Sequence, residues 1–193
     1  MRLKLLLCLL LSASTACRAV ELKISAEALE RTLKTQLFTT DGRYYMQGNA
    51  HTACYAYAQD PTVTFVKDRI VVRVHAHARL GTSVSGSCIG VTFNPPASVS
   101  LVPVAESETI GFKDARIEQV SDSRELNFLL RPFLSHKIPS SLKVNAATIL
   151  RELLAKSREA TGYAFSLEQL TVESMQVVGD SLVVQLAGSV SVK

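Results

Sequence analysis

At 193 residues, 47% of them hydrophobic, the chain has the length of one domain able to bury its own core without a structural metal or partner. Its 21 basic and 17 acidic residues leave a formal charge of +4, and Arg2, Lys4 and Arg18 all fall in the first 19 positions. The remainder is close to neutral, which argues against nucleic-acid binding, where a concentrated basic face is needed.

The start, "MRLKLLLCLLLSASTACRAVELK", has a basic tip, an apolar run Leu5–Leu11 and then small residues. This is the layout of a secretory signal peptide, with cleavage after Ala16 or Ala19, and it is too short for a stable membrane span. "STAC" also resembles a bacterial lipobox, with Ser14 where Leu is usual, making Cys17 a candidate lipidation site and outer-membrane anchor. An anchored lipid contributes about 0.8 kcal/mol of membrane affinity per buried methylene. Residues 20–193 then form a single domain of the cell envelope, in the periplasm.

Ser25 caps a predicted helix over 26–38, with Ile24 and Leu29 at hydrophobic-staple spacing. From "DGRYYMQG" the apolar period changes from 3.6 to 2. Tyr44–Ala58, Thr62–Val66, Ile70–Leu80, Val84–Phe93 and Ser98–Val104 read as strands of an antiparallel meander, separated by "QDP", "KDR", "GTS" and "NPP" turns. A further strand covers 112–120. Asp122 and Glu125 form a capping-box pair opening a helix whose apolar stripe runs Leu126, Leu129, Leu130, Phe133, Leu134, Ile138, bent by Pro132. "SSLKV" after Pro139 reads as extended. Asn145 caps another helix bearing Ile149, Leu150, Leu153 and Leu154, stopped by Gly162. A hairpin, Ser166–Val178 and Ser181–Val192, closes the chain through Gly179-Asp180.

With Cys8 and Cys17 set aside, Cys54 and Cys88 are left as a pair. In an oxidising compartment they are most simply one disulfide, contributing about 3–4 kcal/mol in the chain-entropy model, and they lack CxxC redox spacing. No phosphate-cradling glycine loop, nucleophile elbow or HExxH occurs, and the paired Glu106 and Glu108 read as a solvated edge. No catalytic residues and no cofactor are expected.

"RIVVRVHAHARLG", residues 69–81, alternates strictly. Its polar side holds Arg73, His75, His77 and Arg79. Two histidines supply too few ligands for a closed metal site, His51 being a third only if register allows, and the flanking arginines repel a cation; no metal is expected. The apolar side holds Val72, Val74, Ala76 and Ala78, facing the stripe of Leu126, Leu129, Leu130 and Phe133. Where the sheet offers alanines, either the helix packs closely or an apolar groove remains that could take an acyl chain.

The segments "LKISAEALERTLKTQL", "PTVTFVKDRIVVRVHAHARLG" and "LNFLLRPFLSHKIPSSLKV", with the order of elements, resemble the small YceB-type periplasmic lipoproteins of the tubular lipid-binding (TULIP) superfamily. The resemblance implies an α+β fold in which a strongly curved antiparallel sheet, meander plus C-terminal hairpin, wraps around a long kinked amphipathic helix, with an N-terminal helix added. It also implies an envelope location and a hydrophobic ligand or lipid between sheet and helix, and supplies no catalytic residues. The alternative is a fully packed envelope interaction or scaffold protein, with a protein partner at a sheet edge or at the Arg–His–Tyr face.

Overall fold

The computed structural model describes residues 20–192; the candidate leader, its cleavage sites and Cys17 lie outside the described residues. The first half comprises β1 (Val20–Ser25), α1 (Ala26–Gln36), β2 (Arg43–Gln47), β3 (Tyr55–Val66), β4 (Arg69–Val84) and β5 (Ser87–Phe93). Then come β6 (Pro96–Glu106), β7 (Thr109–Gln119), α2 (Arg124–Pro132), a π turn (Phe133–Lys137) and α3 (Ile138–Leu142). The last elements are β8 (Val144–Asn145), α4 (Ala146–Thr161), β9 (Phe165–Val178) and β10 (Ser181–Val192).

The fold is α+β, and its main sheet is an antiparallel, strongly curved half-barrel of order β2-β3-β4-β6-β7-β8, with β5 on the outer part of β4. The C-terminal hairpin does not join this sheet as expected. It forms a separate three-stranded sheet, β1-β10-β9, because Val20–Ser25 is itself a strand that pairs with β10 from Val20 opposite Leu186 to Ser25 opposite Ser181. The pairing covers a β10 edge that would otherwise present free backbone groups.

Two predicted turns are strand. β3 runs through Gln59-Asp60-Pro61: Gln59 lies opposite His75 and Thr62 opposite Arg73, so one extra residue is absorbed in a bulge with Asp60 at φ 53°. The inward set shifts accordingly from Ala56 and Ala58 to Pro61 and Val63, as a bulge requires. β4 likewise runs through Gly81 and turns at Ser85-Gly86, both at positive φ, a two-residue connection whose twist suits a hairpin. Gly81 faces Gly90, and a Cβ on either would strike the other strand's backbone; close approach, rather than a turn, explains the glycine.

α1 starts as read, with the Ala28 N–H donating to Ser25 Oγ at 3.3 Å. The cap of α2 is Ser123, not Asp122: the Leu126 N–H donates to Ser123 Oγ at 3.2 Å, and that hydroxyl donates to Glu125 Oε2 at 2.9 Å. After Pro139 the chain stays helical to Leu142 instead of extending. Pro139 has no N–H and its ring crowds the carbonyl four residues earlier; the Ile138 N–H bonds back to the Phe133 carbonyl, and this wider π spacing lets the run continue. Asn145 caps α4, accepting from the Thr148 N–H at 2.8 Å, and Gly162 ends it at φ 77°.

Candidate functional site

The expected groove between the 126–133 stripe and β4 is filled. Val72, Ala76, Leu126 and Leu130 have no exposure, Val74 and Ala78 have 1% and Phe133 has 2%, while Leu129 packs partly buried against the same cluster. A void able to hold one water would leave these side chains accessible surface, and they have almost none. Ala78 lies opposite Ala56, and Ala76 opposite Ala58, giving a low floor. Large side chains occupy the room above it, and Phe133 is itself stacked on Tyr44 at 5.0 Å and edge-on to Phe38 at 6.3 Å. Small residues on the sheet thus allow close approach; of the eight residues expected to line a groove, seven are core and the eighth, Leu129, packs against it.

An apolar cavity of about 570 Å³ lies elsewhere, among the β1-β10-β9 sheet, α1, α4 and the β7–β8 edge. β1 contributes Leu22 and Ile24, α1 contributes Leu29, and β9 and β10 contribute Leu167, Leu170 and Leu186. α4 forms the remaining side with Ile149, Leu150 and Leu153. Among the described residues, only Glu21 and Thr32 bring polar side chains to the walls. The Thr32 hydroxyl donates to the Ala28 carbonyl at 3.0 Å, and Glu21 pairs with Lys23 at 3.4 Å. The walls therefore offer van der Waals contact and few directed hydrogen bonds.

α4 is held at its start. The Ala146 N–H donates to the Glu108 carbonyl at 2.9 Å and Arg151 pairs with Glu108 at 3.4 Å, while Lys143 pairs with Glu106 at 2.7 Å. The two glutamates are ties between β6–β7 and the following segment, Glu106 exposed and Glu108 partly buried, each with its own cation. Beyond that anchor, Ile149 and Leu153 remain 47% and 59% exposed although they lie on the apolar side of the helix. The stripe on α4 and the alternation along β10 are legible in the sequence. The strand β1 has its own signal in Val20-Leu22-Ile24, a period-2 run directly before a helix cap.

The polar face of β4 carries a ring cluster. His77 stacks on Tyr57 at 5.1 Å, Tyr55 and Tyr45 lie 5.5 and 5.3 Å from Tyr57, and the Arg43 guanidinium sits 4.7 Å from its centroid. Burial holds the His77 imidazole below its ordinary pKa, helped by the nearby His75 and opposed by Asp60. Among the described residues no three His, Cys, Asp or Glu side chains gather as a metal site; His51 stands in the loop between β2 and β3. Further along this face, Arg69 donates to Ser100 Oγ at 2.8 Å and pairs with Asp114 at 2.9 Å. That guanidinium, by its hydrogen bond, holds the Asp114 carboxyl below its usual range. This is a cross-strand tie.

Cys54 and Cys88 form a disulfide with Cα atoms 5.1 Å apart, joining the β2–β3 loop to β5. Comparison with protein-family models, with curated proteins and with solved structures finds no match.

Proposed function

We propose that the protein binds a lipid acyl chain or similarly apolar ligand in the groove between the β1-β10-β9 sheet, α1 and α4, carrying out no chemistry on it. The observation that carries this reading is the composition of the groove: about 570 Å³ lies within the roughly 300–1,000 Å³ of small-molecule sites, and its walls are aliphatic on every side. Ile149 and Leu153 stand about half in water on the wall of this groove. A ligand covering them would gain about 25 cal/mol per Å² of apolar surface removed from water. A linear aliphatic chain suits such walls better than a polar metabolite, whose hydrogen-bonding groups would go unpaired.

In this reading the seven-stranded sheet wraps the apolar side of the helical run 124–142, as the lipid-binding resemblance implies, and that interface is a scaffold. The ligand lies behind it. An envelope location goes with the proposal, since the Cys54–Cys88 disulfide suits an oxidising compartment.

Native mass spectrometry of the full chain, purified gently from an envelope fraction, tests this together with titration by a fluorescent fatty acid. Co-purifying lipid, and uptake lost in Leu153→Asp with an unchanged melting curve, are the expected results. Consistently empty protein with no uptake of fatty acid or phospholipid would refute it.

One observation favours a second reading, an envelope interaction protein: Arg73 and Arg79 are exposed and have no carboxylate within ion-pair distance among the described residues. Arg73→Glu with Arg79→Glu would then abolish a defined pull-down partner at unchanged stability; retention of every partner would dismiss it.

A further inference from the structure

We infer that the β4–β5 hairpin is a preformed finger that docks the protein on the surface of an anionic bilayer. From Leu80 to Ala105 the sequence contains no Lys, Arg, Asp, Glu or His, although 20% of the chain is charged. The outer part of this stretch stands clear of the sheet body. β4 pairs with β6 only up to His75 and with β3 only up to Arg79, so beyond Leu80 its strand neighbour among the described residues is β5 alone.

Leu80 lies opposite Val91, Thr82 opposite Ile89 and Val84 opposite Ser87, which puts all six on one face. Val84, Ile89 and Val91 are 47%, 65% and 59% exposed. This is the continuation of the β4 face that, at Ala76 and Ala78, is buried in the core; past the end of that cover, the aliphatic row is bare. The finger is also braced, by its two-residue turn and by the bond from Cys88 to Cys54.

The groups at its base favour a lipid surface as occupant. Arg79 stands opposite Tyr55 and His77 opposite Tyr57, and Arg79 has no carboxylate at ion-pair distance among the described residues. The loop 48–54 tied alongside by the disulfide also lacks Lys, Arg, Asp and Glu. Asp122, beside Thr92 and Asn94 around a shallow hollow, is an acid near the base. Aliphatic tip, then tyrosine and a free guanidinium, is the sequence of groups met on crossing from acyl chains to anionic headgroups. The unpaired backbone edges of a two-stranded finger limit its depth to the hydrated interface.

The protein has no tryptophan, so Ile89→Trp in the full chain supplies a single indole at the finger. Vesicles of phosphatidylcholine and phosphatidylglycerol with brominated acyl chains should shift its emission to the blue and quench it. Val178→Trp, at the comparably exposed end of β9 in the other hairpin, should stay unquenched; both variants carry the same residues 1–19, so the contrast reads the finger. Adding Arg79→Glu should weaken partitioning about tenfold or more on anionic vesicles. Vesicle-bound protein with an unquenched indole at 89, or equal quenching at 89 and 178, would overturn the inference. So would a blue shift without vesicles that grows with protein concentration, which would mean a second copy covers the face, and so would equal quenching on pure phosphatidylcholine. Matched circular dichroism and melting curves exclude misfolding as the cause.

Discussion

Truncation of Leu130 to alanine separates a packed interior from a ligand groove. Leu130 has no exposure, and its neighbours along the run, Leu126, Phe133 and Leu134, are at 2% or less, so little around it can collapse into the space left behind. Leu→Ala at such sites costs about 3–5 kcal/mol, the removed carbons' transfer energy plus the cavity. For a domain of this size each kcal/mol corresponds to about 2–4 °C in melting temperature, giving a fall of about 6–20 °C. Leu153→Ala makes the same chemical change on the groove wall, where the side chain is 59% exposed, and should cost no more than about 1 kcal/mol. Urea unfolding followed by circular dichroism, disulfide intact, measures both, and fatty-acid titration on the folded variants gives the complementary reading. Leu153→Ala should weaken uptake and Leu130→Ala leave it unchanged. The opposite pattern, a cheap Leu130→Ala that abolishes uptake beside an inert Leu153→Ala, would refute the reasoning and return the ligand to the helix–sheet interface.

Replacing both Cys54 and Cys88 by alanine opens a loop of sequence separation 34 and should lower stability by about 4 kcal/mol in the chain-entropy model, read as a shift in the urea midpoint. Asn145→Ala removes the acceptor for the Thr148 N–H and should cost about 1 kcal/mol; a loss below a few tenths would show that the cap contributes nothing. Because burial lowers the folded-state pKa of His77 from its ordinary 6.5, the unfolded chain binds more protons as pH falls. The stabilising contribution is therefore complete above the unfolded value and is lost as pH drops from there through the folded one. Melting curves of His77→Phe across about pH 7.5 to 5 should show a flatter dependence than the parent.

Local structure is legible in the sequence where a single residue type carries the physics. The caps Ser25 and Asn145, the stop at Gly162, the closing turn at Gly179-Asp180 and the Cys54–Cys88 pair all stand as the chain reads. Structure and sequence part where one signal has two structural meanings. Asp60-Pro61 marks a bulge as readily as a turn, since both need one residue out of the ladder, and Gly81 marks close strand approach as readily as chain reversal. Asp122 and Ser123 are both competent caps, and only the fold shows which hydroxyl or carboxylate meets the free N–H groups.

What the sequence determined by itself was which side of each element must be dry: the stripe from Leu126 to Ile138, the Val72–Ala78 face, the alternation on β10 and the row of α4. Which dry faces meet was decided by the tertiary structure. The alanines of β4 and the large residues of the helical run complement each other in volume, so they close on one another and leave no room. The second hydrophobic set, β1 with β9, β10 and α4, has leucines and valines on every side and no bulky partner to fill the middle, and the groove opens there. Periodicity reports the need for burial; only three-dimensional packing shows what meets it.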